Sequence, residues 1–317
     1  MRILKKILRN PKRALISGIV MIFGKHIPDS LFIRLRYYLE FGCWPDLNAP
    51  KTFNEKLQWL KLHNRKPQYT NMVDKIEVKK WVADRIGEEY IIPTLAVYTN
   101  AEEIDFEKLP DQFVLKCNHD SGGLFICKDK NKLTDEQKMN IKIRLNNTLK
   151  KDYYIAGREW PYKNVRRRIL AEQYMEDESG YELKDYKIYC FNGKPEFIHV
   201  DFDRFASSGH KRNLYDLNWN LLEFEYGYPS DKAHIIEKPY ALEEMLRLAK
   251  ILSEGVPFLR VDFYYISNQS KFGETTFFPE CGFGKFSNIE IDETYGAKIK
   301  LPTMNTQSKK GERGGGK

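Results

Sequence analysis

Apolar positions change their period along this chain, from helical spacing near the N-terminus to short runs bounded by turn residues after Tyr90. Residues 1–45 read as helical, punctuated by Pro11 and Pro28, and Gly42 and Pro45 close the region before the loop LNAPKT. Thr52 is placed to cap a helix through FNEKLQWLKLHN, because Glu55 follows at capping-box spacing and Phe53, Leu57 and Leu60 then share one face. A second helix is predicted over Asp74 to Ile86, stopping at Gly87. YIIPTLAVY and QFVLKCN read as strands, residues 134–150 return to helical composition, and NVRRRIL leads into AEQYM. DYKIYCF and EFIHVDFD flank Asn192-Gly193-Lys194-Pro195, a hairpin by spacing and turn chemistry. ALEEMLRLAKILSEG is an amphipathic helix ending near Gly255, and FLRVDFYYI and KFGETTFF form a second hairpin across SNQS. No internal repeat or long linker interrupts these pieces, so a compact α+β body is expected.

Composition narrows the class. The 317 residues are 42% hydrophobic, enough for two sub-domains sharing a substantial core. Five cysteines (Cys43, Cys117, Cys127, Cys190, Cys281) form no CxxC pair and are odd in number, which fits reduced thiols and a cytoplasmic location. The net charge of +8 is concentrated at the ends: residues 1–13 carry six Lys or Arg and no acid, and residues 304–317 end as a Gly-rich basic tail expected to be disordered. Between Ala14 and Phe23 runs ALISGIVMIF, too short to span a bilayer and lacking a signal-peptide cleavage site. It fits either a helix packed on the domain or a basic amphipathic helix in peripheral contact with anionic membrane. Nucleic acid is not expected among the partners, and oligomeric state is not readable.

Four features in chain order suggest a nucleotide site. Lys116 ends the strand-like FVLK and precedes Ser121-Gly122-Gly123; a lysine there can meet phosphate oxygens, and the glycines let backbone N–H groups approach them. The pattern lacks the Walker spacing, and a Gly-Gly pair is also an ordinary turn. Glu172-Gln173-Tyr174-Met175 leads from a strand into acidic residues and can form a hinge against a base, or be an ordinary strand end. Asp185 and Lys187 open the first hairpin, with Arg204, Lys211 and Arg212 beyond it, bases that would neutralise phosphate if they converge and are otherwise solvated; His199 and His210 are candidate general bases or structural histidines. Lastly, Arg260 and Asp262 alternate onto one face of a strand, and the next strand can bring Glu274 and Thr276 opposite them. Two carboxylates converging in a strand-rich core suit magnesium bridging phosphates, or else a structural Arg–Asp pair.

RVDF, a short turn and then E-x-T-x-x-P resembles the final strands of ATP-grasp enzymes such as D-alanine–D-alanine ligase, where an asparagine stands in place of Thr276. More closely, FVLKCNHDSGG, AEQYM, DYKIYCFNGKP, VDFDR, RVDFYY and FGETTFFPECGFGKF resemble the TupA-like ATP-grasp family over roughly residues 40–302. The resemblance implies two α+β lobes enclosing ATP, after an N-terminal helical region. The implied divisions are 1–45 (basic helical region), 46–110 (α/β subdomain), 111–180 (small lobe with phosphate loop and hinge), 181–303 (C-terminal lobe with metal site) and the tail. It also implies that Lys116 and Lys187 contact phosphates or adenine, that Glu172 through Met175 form the hinge, and that Asp262 and Glu274 hold magnesium. Thr276 replaces the usual ligand-bearing asparagine.

The family occurs in surface-polysaccharide and teichuronopeptide assembly, which implies a saccharide or amino-acid carboxylate and an amine as substrates. The expected reaction is ATP-dependent: a carboxylate becomes an acyl phosphate and an amine attacks it, with Arg260, Lys187 and Arg204 stabilising developing charge. A glycosyltransferase using Asp201-Phe202-Asp203 with a sugar nucleotide is the rival, and an ATP-dependent sugar kinase is another.

Overall fold

Two antiparallel sheets, each covered by helices on one face, give the chain two hydrophobic cores. The computed structural model describes residues 18–20, 22–177, 183–202 and 210–303; the basic segment 1–13, Asp203, Arg204 and the tail 304–317 lie outside the described residues. Its longer helices are α1 (Asp29–Phe41), α2 (Phe53–His63), α3 (Gln68–Val73), α4 (Glu77–Ile86), α5 (Asp135–Leu149), α6 (Tyr153–Gly157), α7 (Leu242–Leu252) and α8 (Ile289–Lys298). Thr52 and Glu55 close the expected capping box on α2, and Thr134 with Gln137 makes a second one on α5.

The smaller sheet runs β1-β4-β2-β3, formed by β1 (Thr94–Tyr98), β2 (Phe113–Cys117), β3 (Leu124–Cys127) and β4 (Ile169–Gln173). Period-two alternation sends Phe113, Leu115, Cys117, Ile169 and Ala171 to one face, where Ile141 and Leu145 of α5 complete a core. β1 pairs with β4, so residues 94–98 share a sheet with 113–117, across the division expected at 110.

The larger sheet runs β7-β6-β5-β8-β9, formed by β5 (Asp185–Phe191), β6 (Lys194–Phe202), β7 (Lys211–Tyr215), β8 (Phe258–Ile266) and β9 (Gln269–Thr276). Both expected hairpins form. Asn192 and Gly193 turn the first with φ of 49° and 78°, and Ser267 and Asn268 turn the second at 49° and 62°. Left-handed values at both turn residues match strand twist, so the second loop is two residues and not four. Leu242, Met245, Leu248, Ala249 and Leu252 of α7 are buried in the core that also holds Ile188, Ile198, Val261 and Phe263. Each buried leucine there contributes about 2 kcal/mol relative to exposure. At the N-terminal side, buried Arg158 donates to the Ile27 carbonyl (3.1 Å) and pairs with Asp29 (3.3 Å), pinning the start of α1 to the body.

Candidate functional site

Antiparallel partners point to the same face of a sheet, so register alone builds a polar row across the larger one. His199 on β6 faces Lys187 on β5, Lys187 faces Asp262 on β8, and Asp262 faces Glu274 on β9. Arg260, two residues from Asp262 and on its face, lies opposite Thr276. The side chains meet: Arg260 donates Nε to Asp262 Oδ1 (2.7 Å) and Nη2 to Asp262 Oδ2 (2.7 Å) and Glu274 Oε1 (3.0 Å). Lys187 Nζ donates to Asp262 Oδ2 (2.9 Å) and pairs with Asp185 (2.9 Å). Burial opposes the charge of Glu274, but Lys75, Arg260 and Lys187 outweigh it and draw its carboxyl down to about 2.

A β-bulge shapes this corner. The pairing shifts between Asp262 and Phe263, with Gly273 as the extra residue on β9. A Cβ on Gly273 would lie 3.1 Å from the Asp262 carbonyl and 3.2 Å from the Tyr264 ring, so only glycine packs there without displacement.

The smaller sheet presents its second polar group from the face opposite α5. Lys116 and Val114 share that face, and the register sets Glu172 beside Val114. Lys116 and Lys79 of α4 both pair with the Glu172 carboxylate, Lys79 at 2.6 Å. Burial pushes Glu172 toward neutrality, yet the two ammonium groups outweigh it and lower its pKa. Around this group the same face carries Leu95, Val97, Leu124 and Ile126, all substantially exposed. An apolar strand face with buried charges at its centre is the expected surface for a base with phosphates alongside. A cleft lined by Lys75, Val78, Lys79, Ile91, Ile92, Lys116, Glu172, Phe272 and Gly273 joins the two sheets.

Lys75 is the physical link. Its Nζ donates to the Asp120 carbonyl (2.9 Å) beside the Ser-Gly-Gly loop and pairs with Glu274 across the cleft (3.4 Å). Neither Lys75 nor Lys79 stands out in the sequence, where both read as surface charges of a polar helix. Their i, i+4 spacing beside the apolar Val78 and Val82 is the signal that could have found them.

Within the loop, Ser121 Oγ lies 3.2 Å from the Tyr153 hydroxyl, and the Gly123 amide donates to Asp120 Oδ1 (3.1 Å). A Cβ on Gly123 would come within 2.7 Å of Thr148, so this glycine is required by packing; Gly122 meets only Asp120, at 3.9 Å. Tyr174 and Met175 are half-buried on the connection from β4 toward β5, and the Tyr174 hydroxyl donates to Glu176 (3.1 Å).

Asp201 occupies a different part of the same polar face. Arg212 donates Nε to its Oδ1 (2.7 Å) and His199 Nε2 lies 3.1 Å from its Oδ2. Burial opposes the Asp201 charge, but His199 and Arg212 outweigh it and lower its pKa. Buried His199 is pushed well below the usual imidazole value by burial and by Arg212. Among the described residues, no cluster of three or more His, Cys, Asp or Glu is placed to hold a metal ion unaided, and no helix is long and apolar enough to cross a membrane.

A family model described as TupA-like ATPgrasp matches residues 55–300. The chain belongs to the TupA-like ATP-grasp family. Its two α+β lobes, with facing charged surfaces between them, are the ATP-grasp arrangement. No curated protein sequence matches the chain. Among solved structures it is similar to D-alanine–D-alanine ligase from Bacillus anthracis complexed with ATP, at 16% identity over 65% of this chain and 53% of that one (TM-score 0.35). The Helicobacter pylori D-alanine–D-alanine ligase is 15% identical over 73% and 61% (TM-score 0.39). The ATP-grasp ligase PsnB complexed with minimal precursor is 9% identical over 71% and 59% (TM-score 0.38). The chain spans a little over half the length of these proteins.

Proposed function

We propose that this ATP-grasp protein is an ATP-dependent carboxylate–amine ligase: it phosphorylates a carboxylate to an acyl phosphate, which an amine then attacks to give an amide and phosphate. The observation that carries this reading is that Lys75, which lines the cleft with Lys79, Lys116 and Glu172, pairs with Glu274 of the row Lys187–Asp262–Glu274, where Arg260 also sits. Phosphate oxygens entering the cleft would compete with Glu172 for Lys79 and Lys116, and with Asp262 and Asp185 for Lys187. Exposed Leu95, Val97, Leu124 and Ile126 would cover the base.

Asp262 and Glu274 fit magnesium by donor chemistry: both are oxygen ligands, and a cross-strand pair of carboxylates leaves coordination positions for phosphate oxygens, the mode magnesium favours. Bound there, the ion would neutralise phosphate charge. Arg260, which touches both carboxylates, is placed to hold the charge that develops as the γ-phosphoryl group moves to the carboxylate. Little covalent chemistry is asked of the side chains, which position and neutralise.

The D-x-D glycosyltransferase reading is less well supported, because the family match over residues 55–300 is to an ATP-grasp family. The inferred substrates are a uronic or amino acid and an amine, in surface-polysaccharide assembly, a reading that rests on membership of the TupA-like family. The test is ADP release and acyl hydroxamate formation from ATP, magnesium, hydroxylamine and a panel of uronic and amino acids. Hydroxamate that depends on one acid is the expected result. ADP release with sugar alcohols and none with any acid would replace the ligase by a kinase, and turnover of a UDP-sugar in place of ATP would replace it by a glycosyltransferase.

A further inference from the structure

A second cluster lies farther along the polar face, where β6 ends and β7 begins, and the phosphate chemistry does not use it. At its centre the buried Arg212 and Asp201 pair; Arg212 also donates Nη1 to the Tyr226 carbonyl (3.0 Å) and its Nη2 pairs with Glu280 Oε1 (3.0 Å). His210 Nε2 lies 3.0 Å from Asp201 Oδ1, and its ring rests on Tyr228 with centroids 3.9 Å apart. The two central groups are closed off from solvent, whereas Glu280 and His210 keep 32% and 22% of their side-chain surface exposed. The buried Arg212 guanidinium thus holds one partly exposed carboxylate by an ion pair, and a partly exposed imidazole packed on Tyr228 lies beside Asp201.

The backbone under Glu280 is strained. Glu280 and Cys281 both take left-handed φ (51° and 53°), ahead of Gly282 at 66°. Two consecutive non-glycine residues in that region are strained and persist only where the surroundings enforce them. Here the enforcers are buried: Lys61 Nζ donates to the Cys281 carbonyl, and Gln58 Nε2 donates to the Gly282 carbonyl. The turn follows directly on β9, the strand that carries Glu274 and Thr276. Gly227 makes room for the central arginine, since a Cβ there would sit 3.1 Å from Arg212 Nη1 and 3.6 Å from Glu280 Cγ.

We propose that Glu280 and His210 form the subsite for the acceptor amine, an inference that rests on the ligase reading. An aliphatic amine arrives as an ammonium ion, and the exposed Glu280 carboxylate is its counter-charge. His210, held by its ring contact with Tyr228 and lying beside Asp201, takes one proton and frees the nitrogen lone pair. The C–N bond forms at the acyl carbon, and the C–O bond to phosphate breaks with its electron pair on the phosphate oxygen. The second nitrogen proton passes to the departing phosphate, so one ammonium, one neutral imidazole and one acyl phosphate give amide, imidazolium and hydrogen phosphate.

The test compares two nucleophiles on one acyl phosphate. Hydroxylamine is largely unprotonated at neutral pH and needs neither counter-charge nor base; methylamine is protonated and needs both. Wild type, Glu280→Gln and His210→Gln are assayed with the acid that gives the most hydroxamate. The expected result is an N-methylamide to hydroxamate ratio at least tenfold lower in each variant, with the hydroxamate signal reporting an intact fold. An unchanged ratio overturns the subsite, and equal loss of both products also overturns it, because Glu280 and His210 would then only support the fold. Absence of hydroxamate from wild type with every acid removes the ligase reading, and this proposal with it.

Discussion

Replacing Lys61 by methionine probes the foundation of the site. Lys61 is fully buried, and its Nζ donates to Gln58 Oε1 (2.9 Å), the Gly157 carbonyl (2.7 Å) and the Cys281 carbonyl. Methionine fills similar volume and leaves three buried acceptors unpaired, at about 2 kcal/mol each. Against this, burial disfavours the ammonium and lowers its pKa from 10.5 to about 8, with the Glu159 charge partly opposing that. Removing the buried charge therefore returns about 3 kcal/mol at neutral pH, for a net loss of about 3 kcal/mol. At about 2 °C per kcal/mol for a chain of this size, Tm falls by about 6 °C at pH 7. The pH dependence has a definite sign. Between pH 8 and 10.5 the unfolded chain holds a proton on Lys61 that the folded chain has released, so wild-type stability rises there relative to the variant, by up to about 3 kcal/mol. Thermal or urea unfolding of both proteins at pH 7 and pH 10 measures the gap, which should widen at the higher pH. A variant as stable as wild type, or a gap that stays constant across that range, would refute this account of the turn.

Glu172→Gln removes the shared partner of Lys79 and Lys116, both mostly buried, and should cost about 3 kcal/mol of stability without ligand. ATP should then raise its Tm by more than it raises that of wild type, since phosphate supplies the missing negative charge; an equal or smaller ATP shift counts against phosphate at these lysines. Asp262→Asn and Glu274→Gln should each lower hydroxamate formation by at least 100-fold, about 3 kcal/mol of lost transition-state stabilisation, whereas Asp201→Asn should lower it by less than tenfold. The reverse ranking, with melting temperatures intact, would move the metal to the Asp201 end of the sheet.

The larger sheet was readable because two local signals agree there. Asn192-Gly193 and Ser267-Asn268 supply left-handed turns, and the flanking runs alternate with period two, so Asp262 against Glu274 follows from spacing. The smaller sheet was only partly readable. β3 is four residues long with Leu124 and Ile126 exposed, so no burial pattern marks it, and β1 finds β4 across some seventy residues of chain, a pairing no local pattern encodes. β7 begins Lys211-Arg212, which reads as solvated charge; Arg212 is buried because Asp201 stands opposite it. Lys75 and Lys79 were hidden for the same reason: a lysine's environment is set by what packs over it, and here that is β4, nearly a hundred residues from Lys79, and β9, about two hundred from Lys75. Of the Asp201-Phe202-Asp203-Arg204 run, the last two residues lie outside those described.

The bulge at Gly273 shows why the site needs more than alternation. In a regular strand Phe272 and Glu274, two residues apart, would share a face. Either the phenyl ring would then enter the polar row or the carboxylate would enter the core. The extra residue shifts the pairing so that Glu274 stands opposite Asp262 while Phe272 stands opposite Phe263, their ring centroids 6.3 Å apart. Phe263 belongs to the apolar face and Asp262 to the charged one, so the bulge lets a single edge strand serve both. Any side chain there would have to displace its neighbours, since the Asp262 carbonyl and the Tyr264 ring close in from the neighbouring strand. Gly273 therefore acts on the chemistry indirectly: it sets which way Glu274 points, and through Arg260 and Lys75 that direction ties the two lobes to one centre.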